Sequence, residues 1–359
     1  MATAATAAAR AALRQSMPSL GAKYVPVLGY VSASSADRDG AGTLDIGGWR
    51  ALPITPSVDN AEPVPAGVPQ KLPSSPCRVA TYNIWFSPKH RTKRFAALMD
   101  ILLPEAAGPA SWPACVLLQE VCKETAALVL AHPRVREHYF VTDPSVALSD
   151  NWYGVVTLVA RRLGPAARYS ALYYSFGAQL HADDGTSLPG RSNQGRGLLS
   201  VQTPDGCVFG NVHLESPVPG VLPSTRRDQL ALACAALEAE RAERAELDDA
   251  KVRHVGWCLA GDFNFCSPAE DVGIVGAGGA DVWAVSRPGE LGNTFDSRCN
   301  TNVDGHWVKR PDRVVVRADS FQAPANKEAD TIVLLGEDAI PGIGVQPSDH
   351  FGLLATLRC

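Results

Sequence analysis

From residue 77 onward, short apolar runs rich in Val, Leu and Ile recur along the chain, and amphipathic stretches separate some of them. Runs of that length predict strands, and apolar positions spaced three and four apart predict helices. Phe95, Leu98, Met99 and Leu102 share one helical face, with Thr92 placed to cap the helix and Pro104 to stop it. A longer helix is predicted to start near Ser224, where Leu230, Cys234 and Leu237 keep helical spacing and residues 238–249 form a charged, solvated end. Residues 198–201 and 208–214 flank Pro204-Asp205-Gly206, a hairpin signal. Strands and helices are mixed and some pairing is antiparallel. The pattern predicts an α/β fold, a four-layer sandwich of two packed, mainly antiparallel β-sheets flanked by helices.

Residues 1–76 follow no such pattern. Their second half is interrupted by Pro53, Pro56, Pro63, Pro65, Pro69, Pro73 and Pro76, which predicts a partly disordered Pro/Ala-rich extension ahead of a catalytic domain over 77–359. Apolar pieces within residues 24–30 are able to dock on that domain. The first 36 residues carry Arg10, Arg14 and Lys23 and no acid. That composition resembles a transit peptide only weakly, and a plain Ala-rich disordered start is the favoured reading, since two arginines are a thin signal.

The polar residues that touch the apolar runs change the picture most. The run 79–82 ends at Asn83, 115–118 at Gln119-Glu120, 208–212 at His213-Leu214-Glu215, and 257–260 at Gly261-Asp262-Phe263-Asn264. Two further runs begin with such residues: Asp312 precedes 314–316, and Ser348-Asp349-His350 precedes 353–357. If the last two strands run opposite to the others, all these residues fall on one rim of the sheets. Carboxylates and amides without a cysteine ligand make a hard oxygen site suited to Mg²⁺ or Mn²⁺. Histidines beside such an ion suit phosphoester hydrolysis, one neutralising phosphate oxygens and another held in its tautomer by a carboxylate. Each piece alone is ordinary. Asn at a strand end is usually a turn former, Glu120 alone is a solvated charge, and Asp312-Arg313 alone is a surface ion pair. Order and spacing give the set its meaning.

Composition narrows the setting. With 359 residues, 46% hydrophobic, the chain buries a substantial core, yet no apolar run is long enough to cross a bilayer. A net charge of -4 argues against coating long duplex. The nine cysteines form no C-x-x-C, and Cys115 and Cys258 sit inside apolar runs. That predicts reduced thiols in an intracellular protein and no cysteine-based zinc site.

Thr81-Tyr82-Asn83-Ile84, Leu118-Gln119-Glu120-Val121, Gly261-Asp262-Phe263-Asn264 and Ser348-Asp349-His350 stand in the order found in the endonuclease/exonuclease/phosphatase superfamily, which this sequence resembles. Within it, the tyrosyl-DNA phosphodiesterase 2 branch is the most similar. Further stretches carry that likeness: Arg196-Gly197-Leu198-Leu199, His213-Leu214-Glu215-Ser216, Asp281-Val282-Trp283, Thr294-Phe295-Asp296-Ser297, Asp312-Arg313-Val314 and the run from Pro347 to Leu354. The resemblance spans about residues 77–359.

It implies that Glu120 and Asp349 hold Mg²⁺, with Mn²⁺ able to substitute. It implies that Asn83, Asp262 and Asn264 position phosphate and attacking water, Asp262 nearest a general base. His213 and His350 would stabilise the pentavalent transition state, and Asp312 would orient His350. Arg196, Ser216, Phe295 and Trp283 would bind substrate. The implied reaction is hydrolysis of 5′-phosphotyrosyl bonds joining type II topoisomerase adducts to DNA ends, in DNA repair, by a monomer without a membrane partner, most naturally in the nucleus.

There are departures. Pro217-Val218 and Phe265-Cys266 stand where the family has Thr-Arg and Leu-Arg, and Phe295 replaces its Trp. The missing arginines leave Arg196, Arg226 and Arg227 as candidate replacements. Rival readings keep the superfamily with another substrate, an abasic-site endonuclease, deadenylase or inositol-phosphate phosphatase, or make the chain an inactive binding protein.

Overall fold

The computed structural model describes residues 23–25, 27–30, 49–51, 77–148, 152–164, 169–176, 192, 194–203, 207–247, 256–317 and 331–357. The Pro204-Asp205-Gly206 turn, residues 248–249 of the charged helix end and most of residues 1–76 lie outside that set.

Two large mixed sheets face each other. The eight-stranded sheet runs β16-β17-β4-β5-β7-β6-β2-β3, from β2 (Val27–Tyr30), β3 (Trp49–Ala51), β4 (Cys77–Asn83), β5 (Cys115–Cys122), β6 (Tyr139–Thr142), β7 (Tyr153–Ala160), β16 (Ile332–Leu335) and β17 (Gly352–Leu357). The seven-stranded sheet runs β1-β8-β9-β10-β11-β15-β12, from β1 (Lys23–Tyr24), β8 (Ser170–Ser175), β9 (Gly197–Gln202), β10 (Val208–His213), β11 (Trp257–Asp262), β12 (Gly279–Asp281) and β15 (Asp312–Arg317). A two-stranded ribbon of β13 (Phe295–Asp296) and β14 (Val308–Lys309) stands apart. Apolar pieces from the first 76 residues pair at the sheet margins, β1 with β8 and β2 with β6.

Each sheet is built around one parallel pair, β4 with β5 and β10 with β11. In both, a helix makes the crossover, as a parallel pair requires: α1 (Arg91–Leu102) after β4, and α5 (Pro223–Leu247) after β10. The shorter helices α2 (Lys123–Ala131), α3 (Pro133–His138) and α4 (Pro144–Leu148) lie between β5 and β7, and α6 (Val272–Gly276) and α7 (Val282–Ser286) flank β12.

The period-2 alternation of strands sorts the core into layers. Val79, Leu117, Phe209, Cys258, Ala260, Val314 and Leu353 meet between the sheets. Ala80, Tyr82, Val116 and Leu118 point the other way, against Phe95, Leu98 and Met99 of α1 and Val129 of α2. Leu198, Val212 and Leu259 do the same against Leu230, Cys234 and Leu237 of α5. Central strands are thus buried on both faces, which is why they read as continuous apolar runs. Cys115 and Cys258 are buried free thiols.

The start of α1 departs from expectation. Thr92 does not cap it. The helix begins at Arg91, with His90 at the cap position in a left-handed conformation, φ 51, and no side-chain cap. Arg91 N instead bonds Pro88 O at 3.3 Å, and the buried Arg94 guanidinium gathers the carbonyls of Ile84, Trp85, Ser87 and Lys89 ahead of the helix together with that of Pro347.

Not all of the inter-sheet layer is apolar. Gln119 Nε2 donates to Asn211 Oδ1 at 2.8 Å, and Asn211 Nδ2 reaches Leu118 O, Val156 O and Thr157 Oγ1 across the gap. Buried amides are tolerated when every group is paired, and this pairing locks the register of one sheet over the other. We expect Asn211→Leu to lower stability by about 1–3 kcal/mol, the cost of stranding buried polar partners. Urea unfolding should show a lower midpoint with an unchanged slope; an unchanged midpoint would mean that the amide bridge contributes nothing.

Candidate active site

The strand directions bring the polar run-ends together. Antiparallel pairing reverses β15 against β11 and β17 against β4. The ends of β4, β5, β10 and β11 therefore share a rim with the starts of β15 and β17. In register, His213 lies beside Asp262 on one flank and Asp312 beside it on the other.

Local backbone geometry aims the side chains. β5 carries a bulge between Leu118 and Val121, and within it Glu120 adopts φ 58. Bulges re-aim side chains at sheet ends, and a non-glycine residue at positive φ costs on the order of 1–3 kcal/mol unless its surroundings impose it. Asn264 is also left-handed, at φ 54. Gly261, at φ 147, has no alternative, since a Cβ there would lie 1.9 Å from Val212 O. The glycine of the Gly-Asp-Phe-Asn stretch is what lets β10 and β11 close up beneath His213 and Asp262.

Asp262 is the centre. Its Oδ2 accepts from Asn83 Nδ2 at 3.0 Å, so the hydrogen bond joins the two sheets, and its Oδ1 accepts from the Asn264 backbone N–H at 2.8 Å. His213 Nε2 lies 3.4 Å and His350 Nε2 3.9 Å from the same Oδ2. Burial opposes the charge, but the facing imidazoles and the donated hydrogen bonds hold Asp262 ionised, its pKa brought down to about 2.

The histidines are tuned in opposite directions. Burial lowers the basicity of His213, and the Arg196 cation adds to the effect. Arg196 NH1 donates to His213 Nδ1 at 3.0 Å, which assigns the ring proton of a neutral imidazole to Nε2. Burial also works against the cation at His350, but Asp312 and Asp262 outweigh it and lift its pKa to about 10. His350 Nδ1 bonds Asp312 Oδ2 at 2.8 Å, and Asp312 is itself held by Thr294 Oγ1 at 2.5 Å. Both Nε2 atoms turn toward Asp262.

Asp262, Asp312 and His350 bring ligand atoms within 4.8 Å of one another, but these atoms bond each other and the surrounding amides. Glu120 and Asp349 are different. Both are half-buried at the rim. Burial and the charge of Asp349 raise the Glu120 pKa to about 7, and burial raises that of Asp349. Glu120 accepts from the Phe86 N–H and from the Asn83 side chain, and Asp349 Oδ1 lies 3.2 Å from the Ser348 hydroxyl, whose shorter bond goes to Asn83 O. Facing carboxylates that resist ionisation are the donor set a hard divalent cation satisfies, and the residues present fit such an ion.

Of the residues expected to bind substrate, Arg196, Ser216 and Phe295 line the site. Arg196 NH2 bonds Ser216 Oγ at 2.9 Å and Tyr153 OH at 3.2 Å, and the Phe295 ring lies 4.9 Å from His350. Trp283 does not. Its ring is buried in the inter-sheet core against Gly292, and its Nε1 donates to Glu290 O at 3.0 Å, so it offers no surface or donor to a ligand. Arg226 is likewise no replacement for a missing arginine, because it is buried and bonded to Glu270 at 2.8 Å; Arg227 remains exposed. Sequence reasoning did not single out Thr294 as the partner of Asp312. It also missed Ser348, whose hydroxyl donates to Asn83 O at 2.7 Å and accepts the His350 N–H, Tyr153, which stacks on His213, and Arg94. Only Thr294 and Ser348 had a signal available, as short polar neighbours of motif residues.

A family model described as Endonuclease/Exonuclease/phosphatase family matches residues 80–350. Solved structures with the same fold include D. rerio TDP2 complexed with single strand DNA product, at 19% identity, 79% of this chain, 100% of that chain and TM-score 0.57. Truncated Caenorhabditis elegans TDP2 matches at 18% identity, over 79% and 98% of the chains, with TM-score 0.51. An endonuclease/exonuclease/phosphatase family protein from Bacteroides thetaiotaomicron matches at 13% identity, over 79% and 95%, with TM-score 0.51. At these identities the likeness is one of fold. No curated protein matches the chain.

Because the rim carboxylates oppose each other, a divalent cation should stabilise the folded chain. Mg²⁺ at about a hundredfold excess over its Kd should contribute about 2.7 kcal/mol, seen as a raised unfolding midpoint that EDTA reverses. Glu120→Gln should abolish the rise while leaving the far-ultraviolet circular dichroism unchanged. An undiminished rise in that variant would place the cation elsewhere.

Proposed function

The chain belongs to the endonuclease/exonuclease/phosphatase family, and on that premise we propose that it is a Mg²⁺-dependent phosphodiesterase acting on 5′-phosphotyrosyl bonds at DNA ends. The observation that carries the reading is the pairing of one neutral and one cationic imidazole across a buried, ionised Asp262, beside two cation-ready carboxylates. That arrangement suits a phosphorus centre gaining negative charge.

In this reading Glu120 and Asp349 hold the cation, with Mn²⁺ able to substitute. When bound, the ion neutralises phosphate charge and favours in-line displacement by water. The protein does the rest. Asp262, with Asn83 and Asn264 fixing its carboxylate, orients the attacking water as a permanent acceptor. Its weak basicity makes orientation its main contribution, since a general base works best with a pKa near the operating pH. The His350 cation and the His213 Nε2–H each donate to phosphoryl oxygens as the pentavalent state forms. Water oxygen bonds to phosphorus as the tyrosyl oxygen–phosphorus bond breaks; one water proton ends on the tyrosyl oxygen, directly or through solvent, and the products are a tyrosine hydroxyl and a 5′-phosphate end.

Two features support a DNA end as the retained half. The stretches that resemble the tyrosyl-DNA phosphodiesterase branch include Ser216 and Arg196, which lie at this rim together with Phe295, the aromatic residue standing in place of the branch's Trp. Beyond His350 the β13–β14 ribbon presents Phe295 and Trp307 with Lys309 Nζ 4.8 Å and 5.6 Å from their rings, and Trp307 is exposed. Aromatic faces beside a cation form a stacking surface for single-stranded bases. That the zebrafish relative is complexed with single strand DNA product supports a single strand as the ligand of such a surface. A nuclear, monomeric repair enzyme is the setting this substrate implies.

The enzyme should cleave 5′-phosphotyrosyl oligonucleotides far faster than 3′-phosphotyrosyl ones, in Mg²⁺ and not in EDTA. Equal rates at both ends, or preference for an abasic duplex or an RNA tail, would reassign the substrate within the family.

The His350–Asp312 pairing yields a separate expectation. His350→Ala should reduce turnover on the order of 10²–10³, and Asp312→Asn should reduce it less. The double variant should be little worse than His350→Ala, because groups acting as a unit are not additive. Turnover of both singles and the double at saturating Mg²⁺ checks this; losses that multiply would separate Asp312 from His350.

A further inference from the structure

The rim has two lips of unlike chemistry. His213 and Asp312 lie on opposite flanks of Asp262 across neighbouring strands. Beyond Asp312 and His350 comes the cationic, aromatic ribbon of Phe295, Trp307 and Lys309. Beyond His213 comes an aromatic wall, where Tyr153 stacks on His213, Phe86 lies parallel to Tyr153 at 5.1 Å, and Trp152 leans on Phe86 at 5.2 Å; a cation beside it, Arg196, lies over Tyr153 and is already bonded to His213, Gln194 and Ser216.

That wall is shared with a cavity of about 870 Å³ set against α2 and α4. Phe86 couples it to the site directly: its backbone N–H bonds Glu120 Oε2 at 3.1 Å while the residue lines the cavity. Cys122, two positions past Glu120 on the same strand, lines it too, with Ala127, Leu130, Leu148 and Trp152. The cations at its border do not make it a phosphate site. Arg91 is paired with Glu124 at 3.3 Å and bonded to Phe86 O, and the exposed Lys123 shares the lining with the carboxylate of Asp143. Trp152 is 74% exposed, a large apolar surface left open at the cavity mouth.

A phosphodiester presents two ester substituents, and in-line displacement places the attacking water opposite the leaving oxygen. A polynucleotide carries charge at every step and needs the lip with cations. The cations on its lining, Arg91 and Lys123, are matched in number by the carboxylates Glu124 and Asp143, so the cavity offers no net positive charge to a second phosphate, and it has room for more than one side chain. We infer that this cavity receives the leaving half of the substrate, the tyrosyl side chain with apolar residues flanking it in the peptide. This rests on the proposed phosphodiesterase reading and adds a peptide preference to it. Aromatic and aliphatic walls around a volume of this size suit apolar side chains, which gain affinity by leaving water. The enzyme would then select partly degraded adducts with apolar residues next to the tyrosine over a bare tyrosine.

The test compares two substrates that share one 5′-phosphorylated trinucleotide. In one, the phosphate is esterified to tyrosine amide. In the other, it is esterified to the tyrosine of a short peptide with leucine on both sides. For the wild-type chain the peptide substrate should have a KM lower by about tenfold, the scale set by one or two buried apolar groups. Ala127 is exposed on α2 and lines the cavity, so Ala127→Trp fills it without disturbing the core. That variant should raise the KM of the peptide substrate to that of the tyrosine amide and leave the amide kinetics unchanged. Trp152→Ala, which removes the outer wall, should shrink the same advantage. No peptide advantage in the wild type, or one that survives Ala127→Trp, overturns the cavity assignment while the phosphodiesterase reading stands. An equal loss on both substrates in Ala127→Trp also overturns it. Failure of the wild type to cleave either substrate rejects the underlying reading, and the assignment with it.

Discussion

A carboxylate sealed from water must be answered by donors on every side, and Asp262 sets that demand for the whole rim. Its burial would by itself drive it toward the neutral acid. Asn83 from the opposite sheet, the Asn264 amide behind it and the imidazoles flanking it keep it charged instead. Each donor carries a structural obligation. Asn83 requires the end of β4 to sit over the end of β11. Asn264 requires a left-handed turn, and His213 requires a glycine at 261 so that β10 can approach. Function and architecture are therefore hard to separate here, because the two sheets are joined at the same atoms that face the substrate.

The same carboxylate explains why the imidazoles differ. Placed symmetrically about Asp262, they would be expected to share its field. What distinguishes them is the group behind each ring, a guanidinium behind His213 and a carboxylate behind His350. A single exchange of sign one residue away produces a fixed neutral donor on one side and a persistent cation on the other.

Much of this was legible in the sequence, for a reason rooted in strand geometry. Central strands buried on both faces read as apolar runs, so the polar residue that ends a run marks where the sheet meets solvent or a site. Asn83, Glu120, His213, Asp262, Asp312 and His350 stand out that way, and the reversed direction of β15 and β17 supplied the one assumption needed to gather them. The misreadings share a cause as well. Thr92 and Arg226 were judged by residue type and local spacing and Trp283 by resemblance, yet tertiary partners decide what they do: Glu290 O and Gly292 for Trp283, the left-handed His90 for the start of α1, and Glu270 for Arg226. Arg94 was invisible for the same reason. On a helical wheel it is one more polar position, and only the fold shows it collecting the carbonyls of the loop after β4 together with Pro347 O. The bulge that turns Glu120 inward has no spacing signature at all, since its cue is a register shift against β7.

The place of β17 has a consequence for how the protein comes into being. This strand follows the other described strands in the chain, yet it lies between β16 and β4, with Leu357 opposite Cys77. A growing chain therefore reaches β4, β5 and β7 long before it has the neighbour that covers the open edge of β4. Until that strand is made, the backbone groups along β4 lack their partner, and the rim lacks Asp349 and His350. Closure across so long a stretch of chain is slow by nature, and an unpaired central edge is a template for association with other chains. Shielding of the half-finished sheet by chaperones should thus matter most before β17 pairs with β4, and the rim is complete only once it has.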